Sequence, residues 1–108
     1  MENKTLFSVL EEIKKLDVLN NFAITTSENG IYVRFSKFYE NGSSIGVDVT
    51  FYIEDDELIS DPDLSNVYYF DHNVLMQWRN FTRKWVISEK TPKIMAKNLM
   101  KLFYDYAE

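Results

Sequence analysis

The chain contains no cysteine, one histidine, three glycines and two prolines. The absence of cysteine excludes disulfide bonds, thiolate nucleophiles and cysteine-based zinc sites. The single histidine, His72, has no second histidine with which to form a catalytic or metal-binding pair. Because Gly30, Gly42 and Gly46 each lie in or beside a predicted hairpin, we expect no glycine-rich phosphate-binding loop. These absences predict a protein without cofactor, without bound metal and without enzymatic activity.

Lysine and arginine are also absent between Lys37 and Arg79, where the chain is acidic. Residues 1–37 hold five bases and five acids, and residues 79–108 hold seven bases and three acids. The net charge is therefore 0 before the acidic segment, −9 within it and +4 after it. The nine acids of the segment are Glu40, Asp48, Glu54, Asp55, Asp56, Glu57, Asp61, Asp63 and Asp71. Such a charge split bears on the choice of partner rather than on the fold.

Long apolar runs are missing as well, since no window approaches the roughly 18 apolar residues of a membrane span. The first residues, Met1–Lys4, lack the basic start and apolar stretch of a signal peptide, so we expect a cytoplasmic protein. A length of 108 residues predicts one domain. A composition of 45% hydrophobic and 16% aromatic residues indicates a folded chain with a ring-rich core. We therefore expect a single α+β domain over residues 1–108.

Helical spacing of apolar residues predicts three helices. The first runs from about Lys4 to Leu16, and its apolar residues are Leu6, Val9, Leu10, Ile13 and Leu16. The second begins at Asp71 as a cap, and its stripe is Val74, Leu75, Trp78, Phe81, Thr82 and Trp85. The third starts at Thr91–Pro92, where a cap residue precedes proline at the first helical position. Its apolar face is Met95, Leu99, Leu102, Phe103 and Tyr106.

Alternating apolar residues predict strands between the first two helices. Asn29–Gly30 is a two-residue hairpin signal that would place Ile24 opposite Phe35. A third strand runs from about Ile45 to Glu54, and the loop before it must have an odd number of residues to keep the apolar faces aligned. Leu58–Ile59 is a possible fourth, edge strand. The predicted fold is an N-terminal helix, a three- to four-stranded antiparallel meander and two C-terminal helices.

The polar face of the third strand and the acidic turn that follows it form the candidate site. Six of the nine acids of the segment lie between Glu54 and Asp63. The candidate partner-binding residues are Asp48, Tyr52, Glu54, Asp55, Asp56, Glu57, Asp61 and Asp63. An exposed face that mixes aromatic and acidic residues suits a protein interface, because aromatic anchors carry much of the affinity. The alternative is that a helix covers this face and leaves only the turn exposed.

Two segments resemble parts of known motifs without matching those motifs fully. Asp61–Ser65 resembles the opening of a calcium-binding loop, but Asn66 replaces the expected glycine and His72 the bidentate glutamate. The segment is therefore interpreted as a solvated acidic loop. The order of helix, three strands and helix resembles a double-stranded RNA-binding domain, whose lysine-rich last helix is echoed by Pro92–Lys97. The acidic segment argues against this, because nucleic-acid binding needs a basic surface.

In small size, acidity, lack of cysteine and an excess of lysine over arginine typical of AT-rich genomes, the chain resembles phage-encoded anti-CRISPR proteins. The resemblance is one of class and rests on no motif. It implies an inhibitor that binds the basic, nucleic-acid-binding surface of a CRISPR effector nuclease, with carboxylates in place of phosphates. The alternatives are a toxin-immunity protein bound to a toxin nuclease, or a non-catalytic structural or assembly protein. We expect a protein partner rather than nucleic acid or membrane, in an oligomeric state that the sequence leaves open.

Overall fold

The computed structural model describes residues 3–27, 30–88 and 91–108. Two helices flank seven strands: α1 is Asn3–Leu16 and α2 is Pro92–Ala107. The strands are β1 (Phe22–Thr26), β2 (Gly30–Phe38), β3 (Ser43–Glu54), β4 (Glu57–Ser60), β5 (Asn66–Asp71), β6 (Val74–Asn80) and β7 (Val86–Ile87). A short 3₁₀ turn, Pro62–Leu64, connects β4 to β5. No helix in these described ranges is long and apolar enough to cross a membrane.

The sheet is antiparallel and forks at its longest strand. β1, β2 and β3 lie side by side in chain order. On its other side β3 has two partners, because β5 pairs with residues 43–48 and β4 pairs with residues 51–54. β6 extends the first branch from β5, and β7 extends the second from β4. The fork therefore places the two ends of β3 in different branches of one sheet.

The predicted meander of three to four strands followed by two C-terminal helices is wrong, because residues 66–80 form a hairpin instead of a helix. His72 and Asn73 make the turn, with positive φ angles of 48° and 66°. Residues of this kind tolerate the left-handed conformation that tight hairpin turns require. Phe81 then donates its backbone N–H to the Ser65 carbonyl at 2.8 Å, which holds the chain extended beyond β6. Leu58–Ile59 is also not an edge, since β7 covers β4.

The strand registers confirm the predicted faces but not every predicted pair. Ile24 lies opposite Val33 rather than Phe35, so the first hairpin is offset by two residues and keeps its apolar face. The two-residue turn predicted at Asn29–Gly30 includes Asn29, which lies outside the described residues. Phe38 pairs with Ser44, so five residues (39–43) separate the last paired residues of β2 and β3, which is the odd number predicted.

Both helices cover one face of the sheet, and the core lies between them and the strands. α1 contributes Leu6, Val9 and Ile13, and α2 contributes Met95, Leu99 and Phe103. The rings of Phe35, Phe51, Phe103 and Trp85 pack in this layer, with Phe103 and Trp85 edge to face at 5.0 Å. Edge-to-face ring pairs of this kind add to the burial of apolar area. The opposite face of the sheet is the one on which the sequence places its candidate site.

Candidate protein-binding surface

The predicted acidic site does not form one surface, and Asp48 is the clearest exception. Asp48 is only 3% exposed, although it lies on the predicted polar face. Its carboxylate accepts hydrogen bonds from Arg34 Nε at 3.0 Å and from Arg34 Nη2 at 3.4 Å. These bonds, and the negative charge of Asp48, raise the pKa of Arg34. Asp48 is therefore occupied by an arginine of its own chain rather than open to a partner.

The turn between β3 and β4 is the part of the predicted site that faces outward. Glu54 pairs with Glu57, and Asp55 and Asp56 form the two-residue connection with φ angles of 52° and 62°. Glu54, Asp55 and Asp56 are exposed. Glu57 is half-buried and accepts a 2.6 Å hydrogen bond from the hydroxyl of Ser88, the residue after β7, which ties the turn to the end of that strand. We call residues 54–57 the acidic turn.

Asp61 and Asp63 belong to a separate local structure. The Asp61 carboxylate accepts the backbone N–H of Asp63 at 3.0 Å and so caps the 3₁₀ turn. The backbone N–H of Asp61 donates to the Thr50 carbonyl at 2.8 Å, and the Ser65 hydroxyl donates to the Asp61 carbonyl at 2.7 Å. Asp61 therefore holds the fork of the sheet together, while Asp63 is exposed at its rim. Tyr52 is half-buried on β3, opposite Ile59 of β4.

The outer face, away from the helices, is organised in cross-strand rows, since residues directly opposite each other in a sheet share a face. One row is Phe38, Ser44, Phe70 and Leu75. The next is Ser36, Gly46, Tyr68 and Trp78. The third is polar and contains Arg34, Asp48, Asn66 and Asn80. Arg34, Ser36 and Phe38 therefore share the outer face with Asp48.

The first two rows expose a group of apolar side chains that we call the aromatic patch: Phe38, Tyr68, Phe70, Leu75 and Trp78. Phe38 is 71% exposed and Trp78 is 58% exposed. The rings of Tyr68 and Phe70 stack at 6.4 Å with an interplanar angle of 27°. Tyr68 lies over Gly46, where an added Cβ would be 3.8 Å from the Tyr68 side chain. The Tyr68 ring thus lies in van der Waals range of the glycine in the middle of the patch.

No helix within the described ranges covers the aromatic patch. Both helices pack on the other face, and the 3₁₀ turn covers only the polar third row. The Asn80 side chain donates hydrogen bonds to the carbonyls of Pro62 and Ser65. Thr50 Oγ1 donates to the Leu64 carbonyl. These bonds hold the 3₁₀ turn over the third row. No helix in the described ranges covers this face, but it is not open along β3 either, because Ser44, Gly46 and Asp48 are buried there. Its exposed part is apolar rather than acidic.

Strand β6 borders the patch and is exposed along its whole length. It pairs with β5 and, within the described part of the chain, with no second strand. Val74, Leu75 and Met76 are all more than half exposed, as is Trp78. Exposed apolar edge strands are unusual, because natural sheets commonly protect their edges with charge, proline or a covering segment. A register shift between Tyr69 and Phe70 interrupts the β5–β6 ladder. An irregularity of this kind is the one form of edge protection that the pairing of β6 shows.

A cationic and aromatic cluster lies behind β6, near the end of α2. Arg79 Nη2 donates to the Tyr69 hydroxyl at 2.9 Å and to the Tyr106 hydroxyl at 3.5 Å. The Arg83 guanidinium lies 5.7 Å from the centre of the Tyr106 ring. Partial burial, followed by the hydrogen bond with Tyr106, raises the pKa of Tyr69. Arg79, Arg83 and Tyr106 line an open cavity of about 310 Å³.

The aromatic patch was missed because its residues were assigned to other structures. Leu75 and Trp78 were placed in the predicted helix, where their stripe would have been buried. Phe38 lies more than thirty residues before them in the chain, so no local pattern links it to them. The available signal was the run of strand formers Val67–Phe70, followed by Asp71–Asn73 as a turn and then by the mostly apolar residues Val74–Met76.

Among the described residues, no group of three or more histidines and carboxylates is arranged to hold a metal ion. Comparison with known proteins gives no match to a protein family, to a curated protein or to a solved structure.

Proposed function

We propose that this chain is a non-catalytic assembly protein that associates with protein through the aromatic patch. The observation that supports this proposal is the exposure of Phe38 at the end of β2 and of Trp78 on β6, on a face that the helices leave open. Exposed contiguous apolar surface on a water-soluble fold marks interaction sites, and tryptophan is enriched among the residues that carry affinity. The proposed location is the cytoplasm, since the chain has no cysteine.

Charge substitution in the patch tests this proposal. Trp78→Glu places a carboxylate where an apolar contact is expected and should abolish association with protein, measured by sedimentation and by retention of proteins on the immobilised chain. Phe7→Glu on α1 is the matched control, because Phe7 is also 58% exposed and the substitution adds the same charge. If both variants associate as strongly as the unsubstituted chain, the patch is not the site and the proposal is wrong.

A second candidate function is supported by the acidic turn. Glu54, Asp55 and Asp56 extend from the end of a hairpin, about 26 Å along β3 from the nearer row of the aromatic patch at the roughly 3.3 Å rise of a strand residue. We propose as this alternative an inhibitor that docks its carboxylates onto the basic surface of a nuclease, such as a CRISPR effector or a toxin nuclease. Complementary charge would speed the encounter and make it sensitive to salt.

Charge reversal distinguishes the two candidates. The triple variant Glu54→Lys, Asp55→Lys and Asp56→Lys should abolish inhibition of a basic nuclease and leave association through the aromatic patch intact. Trp78→Glu should have the opposite effects. Inhibition that survives the triple variant would rule out the acidic turn as the inhibitory surface. Thermal unfolding of each variant checks that the fold is kept.

A further inference from the structure

We infer that the occupant of the aromatic patch is a second copy of this chain, packed as a two-fold symmetric dimer. The inference rests on the proposed function and specifies its partner. In a two-fold dimer the same patch from each copy meets itself, so the patch must be complementary to itself in charge and shape. Three features of the outer face meet this requirement: its charge, its apolar area and the residues at its edge.

Charge favours self-association at this surface over the rest of the molecule. The chain has a net charge of −5, so two copies repel each other in general. The aromatic patch contains no charged residue, and the adjacent row carries Arg34 and Asp48 as a pair 3.0 Å apart. The acidic turn lies at the other end of β3, well beyond the roughly 10 Å over which salt screens exposed charges. Two patches therefore meet without opposing like charges.

The apolar area is of the size that a modest dimer requires. Phe38, Leu75, Met76 and Trp78 each expose more than half of their surface. Together they offer on the order of 500 Å² per copy, at roughly 150–250 Å² for each ring and less for each aliphatic side chain. Small specific interfaces bury about 600 Å² per partner, so the patch and a narrow rim suffice for association in the micromolar range.

The residues at the edge suit a copy of themselves. Met76 and Trp78 lie close together along β6, and both are exposed. A two-fold axis beside β6 would bring the Met76 thioether of one copy against the Trp78 indole of the second copy, and the reverse. Contacts between sulfur and aromatic rings are favourable, and an unbranched methionine adapts to the shape that it meets. The five residues of the aromatic patch offer no charge with which an acidic or basic partner could pair.

Sedimentation velocity between about 1 and 200 µM tests the dimer over the range expected for a small interface. The unsubstituted chain should shift from monomer to dimer, and its dissociation constant should change less than about threefold between low and high salt, since the contact is apolar. Trp78→Glu should weaken the dimer by at least about 30-fold. Phe7→Glu should leave it unchanged. Of the two tryptophans, Trp78 is exposed and Trp85 is buried, so dimerisation should also shift the tryptophan emission to shorter wavelength.

The outcomes separate the dimer from the proposed function. A chain that remains monomeric at the highest concentration overturns the dimer, as does a dimer that Trp78→Glu leaves unchanged. In the first case, the proposed function survives only if the immobilised chain retains another protein in a manner that Trp78→Glu abolishes and Phe7→Glu does not. If neither self-association nor such retention occurs, both the dimer and the proposed function are wrong.

Discussion

Arg34 and Asp48 form an ion pair between neighbouring strands in which one partner is buried and the other is not. The Asp48 side chain is 5% exposed, the Arg34 side chain is 58% exposed, and the two are joined at 3.0 Å. A buried carboxylate that loses its cation keeps the cost of desolvation, whereas an exposed guanidinium that loses its carboxylate returns to water. The pair thus explains why an acidic residue that the sequence assigned to a binding surface has a structural role.

This asymmetry predicts unequal costs for removing the two partners. Arg34→Met should lower the free energy of unfolding by about 3 kcal/mol, because it leaves the buried Asp48 carboxylate without its cation. Asp48→Asn should cost about 1 kcal/mol, because the neutral amide needs no cation. Urea unfolding near pH 7 measures both values. Equal costs would show that Asp48 does not depend on Arg34 for its burial.

We expect a substitution by glycine in the acidic turn to stabilise the folded state. Asp55 and Asp56 both have positive φ, a conformation that strains residues with a Cβ and that glycine adopts freely. Asp56→Gly should therefore raise the free energy of unfolding by about 0.5–1 kcal/mol. Asp63→Asn is the control for charge, since it removes one carboxylate without altering the backbone and should change stability by less than about 0.5 kcal/mol. A similar gain in both variants would assign the effect to charge rather than to backbone strain.

The contact between Gly42 and His72 joins the loop before β3 to the turn before β6. Gly42 has a φ of 91°, accepts the His72 backbone N–H at 2.9 Å and leaves no room for a Cβ, which would lie 2.5 Å from His72 Nε2. Gly42→Ala should cost about 1–2 kcal/mol in the free energy of unfolding. Because the exposed His72 ring can turn aside, we expect the backbone to dominate this cost. His72→Ala should therefore restore less than half of it in a double-mutant cycle, and full restoration would identify the ring clash as the cause.

The elements that could be predicted are those in which apolar residues recur at regular spacing and whose contacts lie close together in the chain. α1 and α2 follow the helical spacing of Leu6 to Leu16 and Met95 to Tyr106, and β3 shows strict alternation from Val47 to Ile53. The hairpin of β5 and β6 could not be found in this way. Its outer strand is exposed on both faces, so no alternation of buried and exposed residues marks it, and apolar residues from Val74 to Trp85 mimic a helical stripe.

The candidate site was predicted only in part, because some of its residues come together through pairing between distant parts of the chain. The exposed acids of the acidic turn follow from the local sequence, because turn residues at the end of a hairpin are exposed in almost any fold. The burial of Asp48 depends on β5, which pairs with β3 across more than fifteen intervening residues at that point of the chain. The aromatic patch likewise combines residues as distant as Phe38 and Trp78. Non-local pairing of this kind is not encoded in any short pattern.

Alkaline pH should destabilise the fold through its half-buried tyrosines. Burial is the largest cause of the raised pKa of Tyr32, followed by the charge of Asp48, and burial likewise raises the pKa of Tyr69. A phenol whose pKa is higher in the folded state than its ordinary 10.0 stabilises the fold below that pH. Its contribution is lost as the pH rises from about 10 through the folded pKa. Urea unfolding between about pH 8 and 11.5 should show this fall, and Tyr32→Phe with Tyr69→Phe should make it shallower.

Ser60 is a buried hydroxyl that satisfies the backbone where β7 begins. Its side chain is 1% exposed, its Oγ accepts the backbone N–H of Trp85 at 2.7 Å, and it donates to the Arg83 carbonyl at 3.4 Å. Ser60→Ala removes the acceptor and leaves the Trp85 N–H buried without a partner. The free energy of unfolding should therefore fall by about 1–3 kcal/mol.

Ser88→Ala is the matched control for Ser60→Ala, because the Ser88 hydroxyl bonds to Glu57 in an exposed position where water can replace it. That variant should cost less than about 0.5 kcal/mol. Trp85 packs against Phe103 at 5.0 Å, so a shift in its backbone would also disturb the ring cluster of the core. The near-ultraviolet circular dichroism of Ser60→Ala should then lose intensity well below the unfolding transition, whereas that of Ser88→Ala should not. An unchanged spectrum and stability in Ser60→Ala would show that another group satisfies Trp85.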